Sequence, residues 1–270
     1  MSFLDHLEEL RWHLIRCASA VVIAATVAFV MKHFIFDVLL FGPAYASFPT
    51  YKILCQAAQF LGLEDSFCFE KLPFSIQSRT MAGQFSAHIW TSVTAGFIIA
   101  FPYVLFELWK FVSPGLMPNE RKNSRGFIVV ASLLFFTGVL FGYYVVTPLS
   151  INFLGSYQVS ERVLNEFDIG SYIGLVRASV LASGLIFELP IIIYFLTSIG
   201  LVTPQWMRKY RKFALVGVLI VSAIITPPDI ASQIIVAVPV LILYEISIFI
   251  SRAVVRRQAR NLKEQQAGSG

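Results

Sequence analysis

Long apolar runs, separated by charged or proline-containing connections, recur from one end of this chain to the other. They exclude most folds before any motif is considered. A helix that crosses the roughly 30 Å hydrocarbon core of a bilayer needs about 20 mostly apolar residues. Runs of that character lie at about 17–36, 87–112, 127–146, 176–201, 213–225 and 231–250. Composition agrees, since 57% of the residues are hydrophobic and 14% charged, against about a quarter charged in soluble domains. That apolar excess has to face lipid, so the fold class is an all-α integral membrane protein with six transmembrane helices.

The connections set the boundaries. From 37 to 85 the chain carries Gly42, Pro43, Pro49, Gly62 and Pro73 among polar residues, which predicts loops and short helices outside the lipid. Ser113-Pro114-Gly115 should end the second run and Thr147-Pro148 the third, because proline lacks the donor that the next turn needs. The fifth run would extend only about 20 Å as a helix, and the sixth contains Pro239 and Glu245, so the last two helices are expected to be short. Residues 1–255 read as a single transmembrane domain and 256–270 as a basic, polar, disordered tail. Met1 to Arg16 is charged and amphipathic, and the run after it is long enough to stay in the membrane, so no cleavable signal peptide is expected. No internal repeat of the kind that builds many secondary transporters is visible.

Basic residues give an orientation. Arg11 and Arg16 precede the first run, Arg121, Lys122 and Arg125 follow the second, and Arg208, Lys209, Arg211 and Lys212 follow the fourth. Arg252, Arg256, Arg257, Arg260 and Lys263 follow the last, whereas the opposite side holds Lys52, Lys71, Arg79 and Arg162. Positive charge stays inside. Both termini are therefore expected in the cytoplasm.

Signals for enzymatic chemistry are missing. The chain has no His-Glu-x-x-His pair, no Gly-x-Ser-x-Gly elbow and no phosphate loop. His6, His13, His33 and His88 are scattered, so no metal site or cofactor is expected, and nothing points to nucleic acid. Cys55 and Cys68 both fall in the long external loop, which in a bacterium faces an oxidising compartment. They are either a disulfide pair or two small buried side chains, and the sequence leaves both open. At the amino terminus Phe3, Leu4, Leu7, Leu10 and Leu14 share a helical face, with Ser2 and Asp5 placed for a capping box. This predicts an amphipathic interfacial helix that presents Glu8 and Glu9 to water.

Glu188 is the strongest single signal. It lies near the middle of the fourth run, followed by Pro190, where an acidic side chain costs roughly 2.5 to 3.5 kcal/mol. Such a group needs a partner or water, and Pro190 frees a backbone carbonyl and permits a kink beside it. It is either a functional polar site or a structural hydrogen bond. Glu107 and Glu245 lie closer to the cytoplasmic ends of their runs, where snorkelling or pairing with Lys110 or Arg252 is the expectation.

Several segments together resemble one family. Phe3-Leu4-Asp5-His6-Leu7-Glu8-Glu9-Leu10-Arg11, Phe101-Pro102-Tyr103 leading to Trp109-Lys110-Phe111, Pro114 to Glu120-Arg121, Phe187-Glu188-Leu189-Pro190 and Thr226-Pro227-Pro228-Asp229 look like segments of the TatC family, the receptor of the twin-arginine export pathway. The resemblance covers the chain from end to end. It implies a non-enzymatic receptor that recognises twin-arginine signal peptides of folded cargo proteins. With single-span subunits, TatA alone or TatA with TatB, it would form homo- and hetero-oligomers in the bacterial cytoplasmic membrane. It also implies that Glu9, Phe111 and Glu120 form the signal-peptide surface, that Glu188 is an intramembrane polar site facing partner helices, and that Pro43 and Asp229 occupy structurally sensitive outer loops. The external loop and the acidic Glu107 depart from better-known members. An ion-coupled small-solute transporter, with Glu188 as its proton site, is the alternative. With no nucleotide site in the chain, energy would come from outside it.

Overall fold

The computed structural model describes residues 3–60, 68, 73–112, 124–160 and 162–267, apart from the side chains of 3–6, 57–58, 112, 124–125 and 261–267. Helix α1 (Phe3–Val30) is followed by a π-helical turn (Phe34–Leu40), a 3-10 turn (Gly42–Ala44) and α2 (Pro49–Phe60). Strand β1 (Phe74–Gln77) leads into α3 (Gly83–Val112). Helix α4 (Ser124–Phe141) passes through a π-helical segment (Gly142–Val146) into α5 (Thr147–Ser156). Strand β2 (Asn165–Asp168) leads into α6 (Ile169–Phe187), which breaks at Glu188 before α7 (Leu189–Ser198). Helices α8 (Pro204–Lys209), α9 (Arg211–Ile225) and α10 (Ile230–Ala267) complete the order.

Among the described residues, five segments are long and apolar enough to cross a membrane: Leu7–Val30, Gly83–Phe111, Gly126–Ser156, Ile169–Ser198 and Ile230–Arg260. Helix α9 has 15 residues and reaches about 22 Å, below that length.

Several sequence expectations are corrected. The amino-terminal segment is not a separate interfacial helix, because α1 runs unbroken from Phe3 to Val30 with no glycine or proline inside it. Pro148 does not stop the third span. The wide turn at Gly142–Val146 lets the Thr147 N–H and hydroxyl both reach the Gly142 carbonyl. The Tyr144 carbonyl, four residues before the proline, instead accepts from the Thr50 hydroxyl. A proline in mid-helix is tolerable when the freed acceptor finds such a donor. The last helix is long rather than short, and it carries on to Ala267 through the stretch expected to be disordered. Arg, Gln, Ala, Lys and Glu there are good helix formers, and Gly268 is the first breaker after Pro239. Finally, the chain is not purely helical. Strands β1 and β2 pair in parallel, with Phe74 opposite Asn165 and Gln77 opposite Asp168, at the end of the bundle where α3 and α6 begin.

Helices α1 and α3 pack antiparallel. Their register is fixed at three levels: His13 against Glu107, Ala25 against Gly96, and the Phe29 carbonyl accepting from His88 Nε2 at 3.0 Å. A Cβ on Gly96 would lie 2.5 Å from the Ala25 nitrogen, so only glycine allows this approach. Gly138 and Gly142 of the α4 run meet Ser183 and Ser179 of α6 in the same way. At the strand end, a core of Leu40, Phe48, Tyr51, Ile151, Tyr172 and Ile173 is buried.

Candidate functional site

A group of polar contacts lies where α1 and α3 meet at the end opposite the strands. Glu107 is only 1% exposed, and a carboxylate so placed needs donors. Among the described residues three basic side chains converge on it, and the Tyr103 hydroxyl also donates to it. His13 Nδ1 donates to Oε2 at 2.5 Å, Lys110 Nζ donates to Oε1 at 3.3 Å, and Arg16 Nη1 lies 3.6 Å from Oε2. The pairing with Lys110 agrees with the sequence expectation. His13 is buried, and its other ring nitrogen, Nε2, lies 4.0 Å from Glu9 Oε1. One imidazole thus links the two carboxylates, and the Phe111 ring stands edge-on to it with centroids 6.1 Å apart.

Of the residues expected at a signal-peptide surface, the structure brings Glu9 and Phe111 to the same imidazole, and the Glu9 side chain keeps 36% of its surface exposed. Glu120 lies outside the described residues, as do Ser2 and the side chain of Asp5 that would make the capping box. Sequence reasoning missed His13, which it counted among scattered histidines. Its signal was the four-residue spacing from Glu9 on one helix, which places both on the same face. Chemically the junction offers a partly solvated carboxylate, oriented from below, beside an aromatic edge.

Glu188 sits at the break between α6 and α7. It is 6% exposed, and neither carboxyl oxygen has a hydrogen-bond partner among the described residues. The break follows from Pro190. Pro190 cannot engage the Ile186 carbonyl, the Glu188 N–H closes α6 on the Leu185 carbonyl at 3.2 Å, and the Glu188 carbonyl starts α7 by accepting from Ile191 and Ile192. No hydrogen bond or ion pair among the described residues connects Glu188 to the α1–α3 group.

The loop residues are held by specific contacts. Pro43 is buried and its carbonyl accepts from the Tyr51 hydroxyl at 3.0 Å, which also reaches the Pro148 carbonyl at 3.2 Å. Tyr143 and Tyr172 donate to the neighbouring Leu39 and Leu40 carbonyls. Asp229 caps α10 by accepting from the Ser232 N–H at 2.8 Å. The Ser232 hydroxyl, with the backbone N–H groups of Ser232 and Ala231, holds its carboxyl below the usual range against an opposing burial effect. Cys55 and Cys68 form a disulfide with Cα atoms 4.8 Å apart. Glu245 pairs with Arg211 at 2.6 Å and not with Arg252, since Arg252 is two turns further along α10 while Arg211 approaches from α9. Among the described residues no three His, Cys, Asp or Glu side chains are placed to share a metal ion.

Comparison with known proteins accounts for this arrangement. Residues 5–239 match the family model described as Sec-independent protein translocase protein (TatC). The Sec-independent protein translocase protein TatC of Blattabacterium sp. subsp. Periplaneta americana (strain BPLAN) is 44% identical over 93% of this chain and 95% of its own length. That of Escherichia coli (strain K12) is 32% identical over 97% and 92%. A crystal structure of the twin-arginine translocase receptor TatC in DDM is similar with a TM-score of 0.71 and 31% identity, over 91% of this chain and 99% of that one. The chain therefore belongs to the TatC family, the multi-pass, non-enzymatic membrane subunits of twin-arginine protein translocation.

Proposed function

We propose that this chain is the signal receptor of its translocase, binding twin-arginine signal peptides at a cytoplasmic surface built from Glu9, Phe111 and Glu120. The observation that carries this reading is the half-solvated Glu9 carboxylate beside the buried His13–Glu107 pair and the Phe111 ring. A guanidinium is a planar fork of donors that a carboxylate accepts in two parallel bonds. Phe111 offers an apolar edge for the part of the signal that follows the arginines. The distribution of basic residues supports cytoplasmic termini. Helix α9 would then be a sixth, short span. The membrane would be the bacterial cytoplasmic membrane.

Transport of folded cargo would require single-span subunits, TatA alone or TatA with TatB. Glu188 is the site we assign to their helices. A buried carboxyl without a partner among the described residues is what a polar group on a docking helix would satisfy.

The test is a binding measurement with a twin-arginine signal peptide and its Lys-Lys counterpart on purified protein. Binding should weaken for the lysine peptide, because the charge is retained while the fork is lost. Equal affinity for the two peptides would overturn the proposed surface.

A further inference from the structure

Arg177 is a charged residue inside the Ile169–Ser198 span, about 12 Å along α6 from its first residue. An arginine at such depth is costly unless something meets it. Among the described residues its guanidinium has no ion pair and no hydrogen bond, and its contact is the Trp90 ring, 5.8 Å from centroid to Cζ. Trp90 stands about 10 Å along α3 from Gly83, so the two lie at one level. Both helices start from the paired strands β1 and β2. Trp90 is 58% exposed, which puts the pair on the lipid-facing side of the α3–α6 seam.

Direction comes from helix geometry. Side chains lean toward the amino end of their own helix, and the amino end of α6 is the strand end. The guanidinium is thus aimed at the nearer membrane surface. One turn along that path is Gly174, where a Cβ would meet nothing within 4 Å, followed by the exposed Gly170 and Ser171. The result is an open track from Arg177 to the surface. Among the described residues, the two acidic groups of strand β2 are already engaged. Asp168 accepts from the Arg79 and Gly170 N–H groups, and Glu166 pairs with Arg79 at 3.6 Å.

We propose that Arg177, Trp90 and the Gly174 track bind the phosphate of one phospholipid from the leaflet at the strand end. The guanidinium supplies a fork that matches two phosphate oxygens. Long basic side chains near helix ends reach the headgroup region in this way. The exposed face of Trp90 supports the glycerol and the first methylenes of the lipid, as interfacial tryptophans do. This site is independent of the signal-peptide surface, which lies at the other end of the bundle.

The test is native mass spectrometry of the purified full chain titrated with phosphatidylglycerol. Wild-type protein should retain one lipid more than Arg177→Gln, with affinity for that lipid lowered about tenfold in the variant. Arg177→Lys should fall between the two, because it keeps charge without the fork. Gly174→Leu leaves the arginine in place and fills the track, so it should lose the same lipid even if Arg177→Gln folds poorly. Equal retention by wild type, Arg177→Gln and Gly174→Leu would overturn the site. So would an unchanged lipid count with an altered oligomer mass, which assigns the guanidinium to a carboxylate on another helix. Displacement of the lipid by inorganic phosphate alone would refute a lipid source.

Discussion

Replacing Glu107 tests the polar junction that holds α1 to α3. Glu107 is 1% exposed and His13 8%, so the bond between them is shielded from water. Lys110 and Arg16 keep 46% and 53% of their side chains exposed, and each contributes well under about 1 kcal/mol after solvent screening. The loss in Glu107→Ala is then about 1.5–3 kcal/mol for the charged hydrogen bond, plus about 1–3 kcal/mol for the His13 nitrogen left buried without a partner. The sum, about 2.5–6 kcal/mol, brackets the roughly 3–5 kcal/mol typical of a broken buried pair. Glu107→Gln keeps an acceptor for His13 and should lose only about 1–2 kcal/mol. At roughly 2–4 °C per kcal/mol, the thermal midpoint should fall by on the order of 10 °C in the alanine variant and by about a third of that in the glutamine variant. The free thiol of Cys17, one turn beyond His13 on α1, provides the assay, through its labelling by a thiol-reactive dye as detergent-solubilised protein is heated. His13→Ala combined with Glu107→Ala should cost less than the two singles added. Additive losses, or an alanine variant as stable as wild type, would refute the account.

Glu188→Ala should reduce transport and crosslinking to a single-span partner helix while leaving signal-peptide binding intact. Glu188→Gln discriminates further, since preserved transport indicates a polar docking site and lost transport with preserved docking a proton-linked one. Unchanged transport and crosslinking in Glu188→Ala would remove the assignment. Without reductant, Cys55 and Cys68 should resist thiol labelling, and reduction should expose both; closing this loop stabilises it by about 3 kcal/mol in the chain-entropy model. Because the Asp229 carboxyl is held below its ordinary value, its contribution to stability is fully present above about pH 3.9 and is lost as pH falls through the folded value. Amide exchange at Ser232, corrected for its intrinsic pH dependence, should therefore show loss of protection on acidification, and Asp229→Asn should abolish that step.

The membrane class, the positions of the long helices and the polar candidates were legible in the sequence because lipid imposes a one-dimensional rule. About 20 apolar residues in a row must be helical, and a charge among them stands out. Glu188 and the Cys55–Cys68 separation could be picked out by that rule and by spacing alone. What local pattern does not encode is which distant donor satisfies an acceptor. Pro148 reads as a helix stop until Thr50, far away in the chain, takes up the Tyr144 carbonyl and the turn before it widens. The strands pair in parallel only because α3 to α5 bring them side by side, since parallel strands need such a crossover. His13 looks like one of four scattered histidines until the Gly96–Ala25 approach sets the α1–α3 register and carries it to Glu107. The sequence by itself determined the membrane class and where the long apolar helices lie. Tertiary packing decided which buried polar groups meet, because a hydrogen bond requires two groups within about 3 Å, and only the folded helices bring residues so far apart in the chain to that distance.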